Sequence, residues 1–303
     1  MKLSVPLRDG ARLRVRIHGR GKPVLMLHGF GSRGSHWLPN VLPFAHRYRF
    51  ILPDLRGFGG SHEVPFETPD DVFGNFARDI EDLLDHLSID KVTLGGVSMG
   101  AFTSLRLASE GLFKRVQKYL HIDQSPQVRN DAGWRYGVFG EDQERVFDSF
   151  RRLITLADRA GHGTDYWKLP PELRLEMRRA SADFFCYAFN GPRTQAGIRK
   201  VMLNAERLIT HTLMPVRRWP SYLHVMRAYL DGDDALRSKL PGIDVPVTLL
   251  VGMRSRMYPA EGQLAIRSAI PHAKVIRFER SGHVPMIDEP VHFQRALGQF
   301  LAS

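Results

Sequence analysis

The chain has 303 residues, of which 43% are hydrophobic and 25% charged. These values are ordinary for a globular protein and exclude collagen, coiled-coil and disordered classes. A single cysteine, Cys186, excludes an intrachain disulfide and a cysteine-rich zinc site. The formal net charge of +11 is unusual and could indicate nucleic acid, an anionic membrane or an acidic substrate as a partner.

The positive charge is concentrated near the N-terminus. Residues 1–56 carry 11 Lys and Arg against 2 Asp and Glu, whereas residues 57–126 carry 6 against 11. Arg12, Arg14 and Arg16 alternate with apolar residues, and this period of two predicts a half-buried strand with its arginines toward solvent. Because no aromatic residues are interleaved with them, a solvated strand face explains these arginines better than a nucleic-acid stripe does.

The sequence also predicts where the chain resides. No run approaches about 18 consecutive apolar residues, so no membrane span is expected. The first residues lead into charge and not into the apolar core of a secretory signal, so the expected location is the cytoplasm. Specific nucleic-acid binding is not expected, and binding of a membrane or polyanion through the basic face is kept as a minor hypothesis. The sequence does not indicate the oligomeric state.

Short apolar runs typical of buried strands recur along the chain, and segments with helical periodicity lie between several of them. The predicted strands cover residues 24–27, 50–52, 92–97, 119–122, 247–251 and 275–278. The predicted helices cover residues 71–87, 101–112, 260–270 and 290–301, with Thr68 expected to cap the first. This alternation predicts an α/β fold, in which helices cover both faces of a mostly parallel central sheet.

The strand pattern is interrupted between residues 127 and 240, where helical patterns rich in arginine and aromatic residues replace it. We interpret residues 127–240 as an inserted helical cap domain, and residues 1–126 with 241–303 as the core domain. An apolar pocket under such a cap is expected. Its candidate lining residues are Trp134, Phe139, Phe184, Met214 and Trp219. The alternative is that most of these side chains form the hydrophobic core of the cap itself.

The strongest chemical signal is Gly96-Val97-Ser98-Met99-Gly100, a G-x-S-x-G motif that follows a predicted strand and opens a predicted helix. A sharp turn of this kind holds its serine in a strained backbone, and small flanking residues let neighbouring chains pass close by. The Ser98 hydroxyl would be exposed near a helix N-terminus, where developing negative charge is favoured. Ser98 is therefore the candidate nucleophile.

Two further segments supply the partners that such a nucleophile needs. The first predicted strand of the core ends before His28-Gly29, and the backbone N–H groups of Phe30 and Met99 are candidate donors to an oxyanion. We expect His28 itself only to brace this loop. His283 follows the last predicted strand, after the serine in chain order, and is the candidate general base that takes the serine proton and returns it to the leaving group.

Together these segments resemble the α/β-hydrolase fold family, in a form that carries a cap. The resemblance covers residues 20–126 and 241–303, and the loop Asp54–Ser61 is also similar to one that these proteins carry. It implies a Ser-acid-His triad. The serine at the elbow argues against epoxide hydrolase and dehalogenase chemistry, because those members of the fold use an aspartate at that position.

The sequence departs from the family pattern at the triad acid. The family usually places an aspartate three residues past a glycine after the penultimate strand, and here that position, three residues past Gly252, is Ser255. Some members instead carry their acid at the end of the preceding predicted strand, where this chain has Asp123. We therefore predict Asp123 as the triad acid.

Other assignments for the acid stay open. Asp123 could cap a turn before Pro126, in which case Glu261 or a water molecule would support His283. Asp288 lies at the start of the helix expected after His283, and it is expected to cap that helix.

A rival motif points to a dinucleotide site. Residues 29–34 read G-x-G-x-x-G after a predicted strand, and Asp54 follows at the distance expected of a ribose-binding acid. Pro39 and Pro43 would interrupt the helix that this motif needs. The dinucleotide hypothesis also leaves Ser98 and His283 unexplained, so we disfavour it.

The sequence therefore predicts a serine hydrolase that cleaves carboxylic esters of a small molecule, with no cofactor and no metal site. Thioesterase, lactonase and C–C bond hydrolase activities remain open, because they use the same triad. An alternative of another class is a ligand-binding protein that kept the fold and lost turnover, which Ser255 in the acid position would explain.

Overall fold

The computed structural model describes residues 1–161, 165–189, 191–208, 219–232 and 236–303. Its strands are β1 Lys2–Pro6, β2 Arg12–Gly19, β3 Lys22–Leu27, β4 Tyr48–Pro53, β5 Val92–Val97, β6 Val116–Ile122, β7 Val247–Gly252 and β8 Lys274–Phe278. They form one sheet in the order β1-β2-β4-β3-β5-β6-β7-β8. The pairs from β4 to β8 are parallel, whereas β2 is antiparallel to both β1 and β4. The predicted α/β fold with a mostly parallel sheet is confirmed.

The strand at the basic N-terminus is confirmed as half-buried. Along β2 the arginines lie toward solvent, while Leu13, Val15 and Ile17 are buried. A strand that the sequence did not predict, β1, pairs with it, and the register places Lys2 opposite Arg16. Residues paired in register share a sheet face, so the outer face of this edge carries most of its basic side chains.

Helices follow most of the strands. They are α1 Leu38–Val41, α2 Val72–His86, α3 Met99–Ser109, α4 Gln143–Ala160, α5 Pro171–Ala188, α6 Pro192–Asn204, α7 Trp219–Asp231, α8 Ala260–Ala269, α9 Pro285–Asp288 and α10 Pro290–Ala302. Short 3-10 helices at Gly34–Trp37 and Leu42–Phe44 flank α1. The four predicted helices are α2, α3, α8 and α10.

Thr68 is not the cap of α2, although an aspartate of the same Thr-Pro-Asp-Asp run is. Its N-cap is Asp71, whose carboxylate accepts from the backbone N–H of Gly74 at 3.0 Å. Thr68 stays outside the helix because the Asn75 side chain accepts from its N–H at 3.2 Å and donates to its carbonyl oxygen at 2.7 Å. These bonds tie the preceding segment to the first turn of α2.

The sheet separates two apolar layers, because successive side chains of its strands point to opposite faces. On one face, Leu25 and Leu27 pack in a cluster with the apolar side chains of α2, α3 and α8. On the other, Val24 and Met26 pack in a cluster with α1 and α10. Strands β3, β4, β5 and β7 are therefore buried at most positions, as expected of strands covered on both sides.

Between β6 and β7 the chain forms a helical insertion. Its described parts carry α4, α5, α6 and α7, and they add no strand to the sheet, only an isolated bridge between Asp131 and Trp134. Across the described ranges, no helix is long and apolar enough to cross a membrane. The insertion leaves the sheet where the carboxyl ends of β5, β6 and β7 meet, and ligands of open α/β sheets bind at that edge.

Candidate active site

Ser98 lies on a sharp turn between β5 and α3. Its backbone angles are φ 53° and ψ −125°, a strained conformation for a residue with a side chain. The turn fits because Gly96 and Gly100 have no Cβ. A Cβ on Gly96 would lie 2.5 Å from the Gly100 carbonyl oxygen, and one on Gly100 would lie 2.5 Å from the Leu27 carbonyl oxygen. The strand–turn–helix context expected of the motif is therefore present, with Ser98 at its apex.

The segment after β3 is fixed by His28. This side chain is buried, and burial lowers its pKa to about 4, so the ring is neutral near pH 7. Its Nε2 accepts from the backbone N–H of Leu55 at 2.9 Å, so Nδ1 carries the proton and donates to the Gly29 carbonyl oxygen at 2.8 Å. The Phe30 N–H belongs to the same planar peptide as that carbonyl and points the opposite way. His28 therefore orients the Phe30 N–H, which is a bracing role.

Asp123 and His283 form a buried pair. The His283 Nδ1 and the Asp123 Oδ1 are 2.7 Å apart, and their side chains are 7% and 0% exposed. Asp123 reaches this position from the end of β6 with a positive φ of 42°. Its second oxygen, Oδ2, accepts from the backbone N–H of Gly252 at 2.9 Å. A Cβ at Gly252 would lie 2.5 Å from that oxygen, so only glycine leaves room for the carboxylate.

Ser255 contacts the same carboxylate. Its hydroxyl donates to the Asp123 Oδ1 at 2.8 Å. From the sequence, position 255 was noted only because the family usually has an aspartate there and this chain has a serine. The signal that could have predicted the contact was present, because Asp123 and Ser255 follow strands that the α/β-hydrolase pattern places side by side.

The two other acids considered for the site lie elsewhere. Glu261 is exposed in the first turn of α8. Asp288 accepts from the backbone N–H of Gly282 at 2.7 Å and from the Ser281 hydroxyl at 3.3 Å, so it braces the loop that carries His283. Neither carboxylate takes the place of Asp123 beside the imidazole.

A cavity of about 600 Å³ opens beside Ser98 and His283, and both residues line it. Most of the other lining side chains are apolar and come from the α1 region, the C-terminal end of α5 and the segment after His283. They include Trp37, Phe184, Phe185, Phe189, Met286 and Ile287. A cavity of this size and character suits a small organic ligand with a substantial apolar part.

The predicted pocket lining is corrected for three residues, since only Phe184 of the described candidates lines this cavity. Phe139 packs edge-on against Phe150 inside the insertion, and Trp134 is covered by the Arg237 guanidinium, 4.4 Å from its ring. Trp219 is 1% exposed. These side chains belong to hydrophobic packing, which was the alternative interpretation, and Met214 lies outside the described residues.

Two lining segments were missed by the sequence analysis. Residues 35–40 and 284–287 line the cavity but carried no chemical motif. Their closeness in sequence to His28-Gly29 and to His283 was the signal that could have indicated them.

The dinucleotide hypothesis does not fit the geometry around Asp54. Its two carboxylate oxygens accept from the backbone N–H groups of Gly34 and Gly60, each at 2.7 Å, so the carboxylate joins two loops. The G-x-G-x-x-G segment leads into a short 3-10 helix and the four-residue α1, not into a long helix. Within the described ranges, no group of three or more His, Cys, Asp or Glu is placed to hold a metal ion.

Comparisons with known proteins agree with this architecture. The model of a family described as alpha/beta hydrolase fold matches residues 22–290. The AB hydrolase superfamily protein YisY of Bacillus subtilis is 26% identical over 288 residues, which cover 93% of this chain and 92% of that protein. A pimeloyl-[acyl-carrier protein] methyl ester esterase of Legionella pneumophila is 26% identical over 285 residues, which cover 94% and 97%.

A solved structure shares the fold over its full length. The esterase EaEST from Exiguobacterium antarcticum superposes with a TM-score of 0.76 at 23% identity, and the match covers 100% of both chains. The family model spans most of the sheet and the whole insertion, including every residue of the candidate site. The chain therefore belongs to the alpha/beta hydrolase fold family.

Proposed function

We propose that this chain is a serine hydrolase that cleaves carboxylic esters through an acyl-enzyme intermediate. The observation that carries the proposal is the 2.7 Å contact between Asp123 and His283, because His283 lines the same cavity as Ser98 on its strained turn. A buried carboxylate that holds one nitrogen of an imidazole leaves the other nitrogen to exchange protons. Ser98, His283 and Asp123 then have the roles of nucleophile, general base and orienting acid.

The reaction follows from these positions. The Ser98 Oγ attacks the ester carbonyl carbon while His283 Nε2 takes the hydroxyl proton, because Nδ1 is engaged by Asp123. The tetrahedral oxyanion accepts hydrogen bonds from the N–H groups of Phe30 and Met99. The C–O bond to the alcohol then breaks, and Nε2 returns the proton to the leaving oxygen. Water attacks the acyl-enzyme by the same steps and releases the acid and free Ser98.

The cavity favours an apolar acyl or aryl group. Its lining is mostly aromatic and aliphatic, and about 600 Å³ accommodates an ester of medium chain length. Two of the relatives compared above are esterases by name. Thioesters, lactones and C–C bonds next to a carbonyl remain alternative substrates, because the same three side chains would cleave them.

The ligand-binding alternative rested on the missing acid at position 255. The contact of Asp123 with His283 weakens it, since a carboxylate is present where the imidazole needs one. We also propose residues 127–240 as the cap, because Phe184 and Phe185 of its helix α5 lie over the cavity that Ser98 lines. The cytoplasmic location stays a prediction.

The test is covalent labelling with a fluorophosphonate followed by intact-mass measurement. We expect one adduct on the wild-type chain and none on Ser98→Ala, with kcat for p-nitrophenyl esters reduced about 10⁴-fold or more. Ser268→Ala, which removes an exposed serine on α8, should label normally. A panel of p-nitrophenyl esters of increasing length beside acyl-CoA thioesters separates the substrate classes. An unlabelled wild-type chain that binds esters without turnover would favour the ligand-binding alternative.

A further inference from the structure

We propose that Ser255 is a positioning residue of this site, whose hydroxyl holds the Asp123 carboxylate against His283. The inference deepens the proposed function and rests on it. Ser255 stands at the end of β7, where the family usually has its acid, while the acid of this chain comes from the end of β6. The proposal is that this position still serves the imidazole, but through a hydrogen bond to the relocated carboxylate.

The backbone brings the two side chains together. β6 and β7 are parallel neighbours, and the Asp123 N–H donates to the Leu250 carbonyl oxygen at 3.0 Å, which fixes the start of the loop after β6. The positive φ of Asp123 then directs its carboxylate across the carboxyl end of β7, over Gly252. Ser255 follows that glycine by three residues, and its hydroxyl approaches the carboxylate at 2.8 Å.

The direction of the hydroxyl proton is determined by a second contact. The backbone N–H of Tyr258 donates to the Ser255 Oγ at 3.3 Å, so that oxygen serves as an acceptor on one side. Asp123 Oδ1 is an acceptor when the carboxylate is ionised, so the Ser255 hydrogen points to it. The same oxygen accepts from the Nδ1 of His283. Ser255 and His283 therefore hold one carboxylate oxygen between two donors.

A fully buried carboxylate needs these donors. Asp123 is 0% exposed, and among the described residues no lysine or arginine forms an ion pair with it. Its charge is stabilised by His283, by the Gly252 N–H and by the Ser255 hydroxyl, since hydrogen bonds offset the lost hydration. Removing the hydroxyl would leave Oδ1 with His283 as its one donor within the described part of the chain, so the carboxylate and His283 would be held less firmly.

The first test removes and restores the hydroxyl. Ser255→Ala should lower kcat about tenfold with KM little changed, because a hydrogen bond to a charged group is lost and the substrate cavity is untouched. Ser255→Thr keeps a hydroxyl and should recover most of kcat. Ser221→Ala removes a hydroxyl that is equally buried but lies on α7, and it should change kcat less than twofold. An Ala variant with wild-type kcat would overturn the proposal.

The second test exchanges the roles of the two positions. Asp123→Asn alone should lower kcat about 10⁴-fold, as expected when an imidazole loses its carboxylate. Ser255→Asp alone places two carboxylates in one buried space and should also be impaired. The double variant D123N/S255D puts the acid at the end of β7 and a donor at the end of β6, and it should be at least tenfold more active than D123N. Purely additive effects of the two changes would contradict the proposal.

A readout without turnover separates this proposal from the proposed function. A proton on the Nδ1 of His283, hydrogen-bonded to Asp123, gives a low-field proton resonance that needs no substrate. We expect that resonance in the wild-type chain and its displacement or loss in Ser255→Ala, with no change in Ser221→Ala. If the chain hydrolyses no ester but its resonance changes in Ser255→Ala and not in Ser221→Ala, the proposed esterase function is contradicted and the role of Ser255 is supported. An active esterase whose low-field resonance is unchanged in Ser255→Ala would support the proposed function and contradict the role of Ser255.

Discussion

His28 acts on the site through a single peptide group. Its Nδ1 and the N–H of Ser32 both donate to the Gly29 carbonyl oxygen, at 2.8 Å and 3.2 Å. The ring is itself held by the N–H of Leu55. Since the carbonyl of that peptide is fixed, so is the direction of the N–H of Phe30 on its other side. The His28 side chain can in this way position the Phe30 N–H that we propose as an oxyanion donor.

We therefore expect His28→Gln to reduce kcat for p-nitrophenyl esters about 10²-fold, the effect of losing one oxyanion donor, while KM changes little. The measurement is steady-state kinetics, combined with a circular dichroism spectrum to show that the variant is folded. His86→Gln, at an exposed position at the end of α2, is the control. If His28→Gln raised KM and left kcat unchanged, the peptide would not serve the oxyanion.

At the scale of elements, the loop between β4 and α2 is anchored by a buried ion cluster. The Arg56 side chain is 2% exposed, and its Nε and Nη2 donate to the two oxygens of Asp79 on α2 at 2.9 Å and 2.6 Å. Its Nη1 donates to Asp9, between β1 and β2, at 2.6 Å. Arg56 thus joins the loop to two other elements.

The anchored loop supports the site directly. It carries Leu55, whose N–H holds His28, and Phe58, whose ring lies edge-on to Phe30 with centroids 5.7 Å apart. Through Leu55 and Phe58, the loop after β4 therefore supports the segment that carries Phe30, the proposed oxyanion donor. The buried Arg56 anchors that loop.

Breaking the cluster should cost stability. We expect Arg56→Met to lower the free energy of unfolding by about 3 kcal/mol or more, because Asp79 is left buried without its partner. R56M/D79L should be more stable than R56M, since the uncompensated charge is removed as well. Urea denaturation measures both. Glu144→Gln, which removes an exposed partner of Arg151, should change the free energy by less than about 0.5 kcal/mol. If R56M lowered the free energy of unfolding by no more than Glu144→Gln does, the buried ion cluster would not contribute to stability.

Elements with a clear local pattern of apolar residues could be predicted from the sequence, whereas elements that form only by pairing with another part of the chain could not. β5 was predicted with its observed limits, Val92–Val97, because it is a short, mostly apolar run without a charged residue. β1 has few apolar residues and becomes a strand only by pairing with β2. The α1 region was not predicted as a helix, because Pro39 and Pro43 were interpreted as helix breakers. Pro39 lies in the first turn of α1, where proline is tolerated.

The same distinction applies to the candidate site. Ser98 and His283 could be predicted because each follows a strand in a local motif. The hydrogen bond between Ser255 and Asp123 joins residues 132 positions apart, so it depends on the sheet order and not on a motif. The sequence could not show that Phe184 lines the cavity while Phe139 packs in the core. Both are buried aromatic residues of the insertion, and their ring centroids are 6.3 Å apart.

At the scale of the whole molecule, residues 1–56 carry 11 Lys and Arg against 2 Asp and Glu, and some of these basic side chains lie on the β1–β2 edge of the sheet. Arg14 lies exposed on β2, and Arg33, in the same N-terminal segment, donates to His36 at 3.1 Å. His36 lines the cavity beside Ser98. Arg33 therefore places one positive charge of the N-terminal segment next to the cavity, where it favours anions.

The stability of the whole molecule should depend on pH through two buried histidines. Burial lowers the pKa of His28 and of His121 to about 4, against about 6.5 in an unfolded chain. Through these two side chains the unfolded state binds more protons between these values, so the contribution of the histidines favours the folded state above pH 6.5 and is lost as the pH falls toward 4. Each histidine contributes up to about 1.4 kcal/mol per pH unit in that window. Urea denaturation at steps between pH 7 and pH 4.5 measures the slope. His121→Gln should remove about half of the histidine contribution, and a slope unchanged by that substitution would mean that His121 is not buried as a neutral ring.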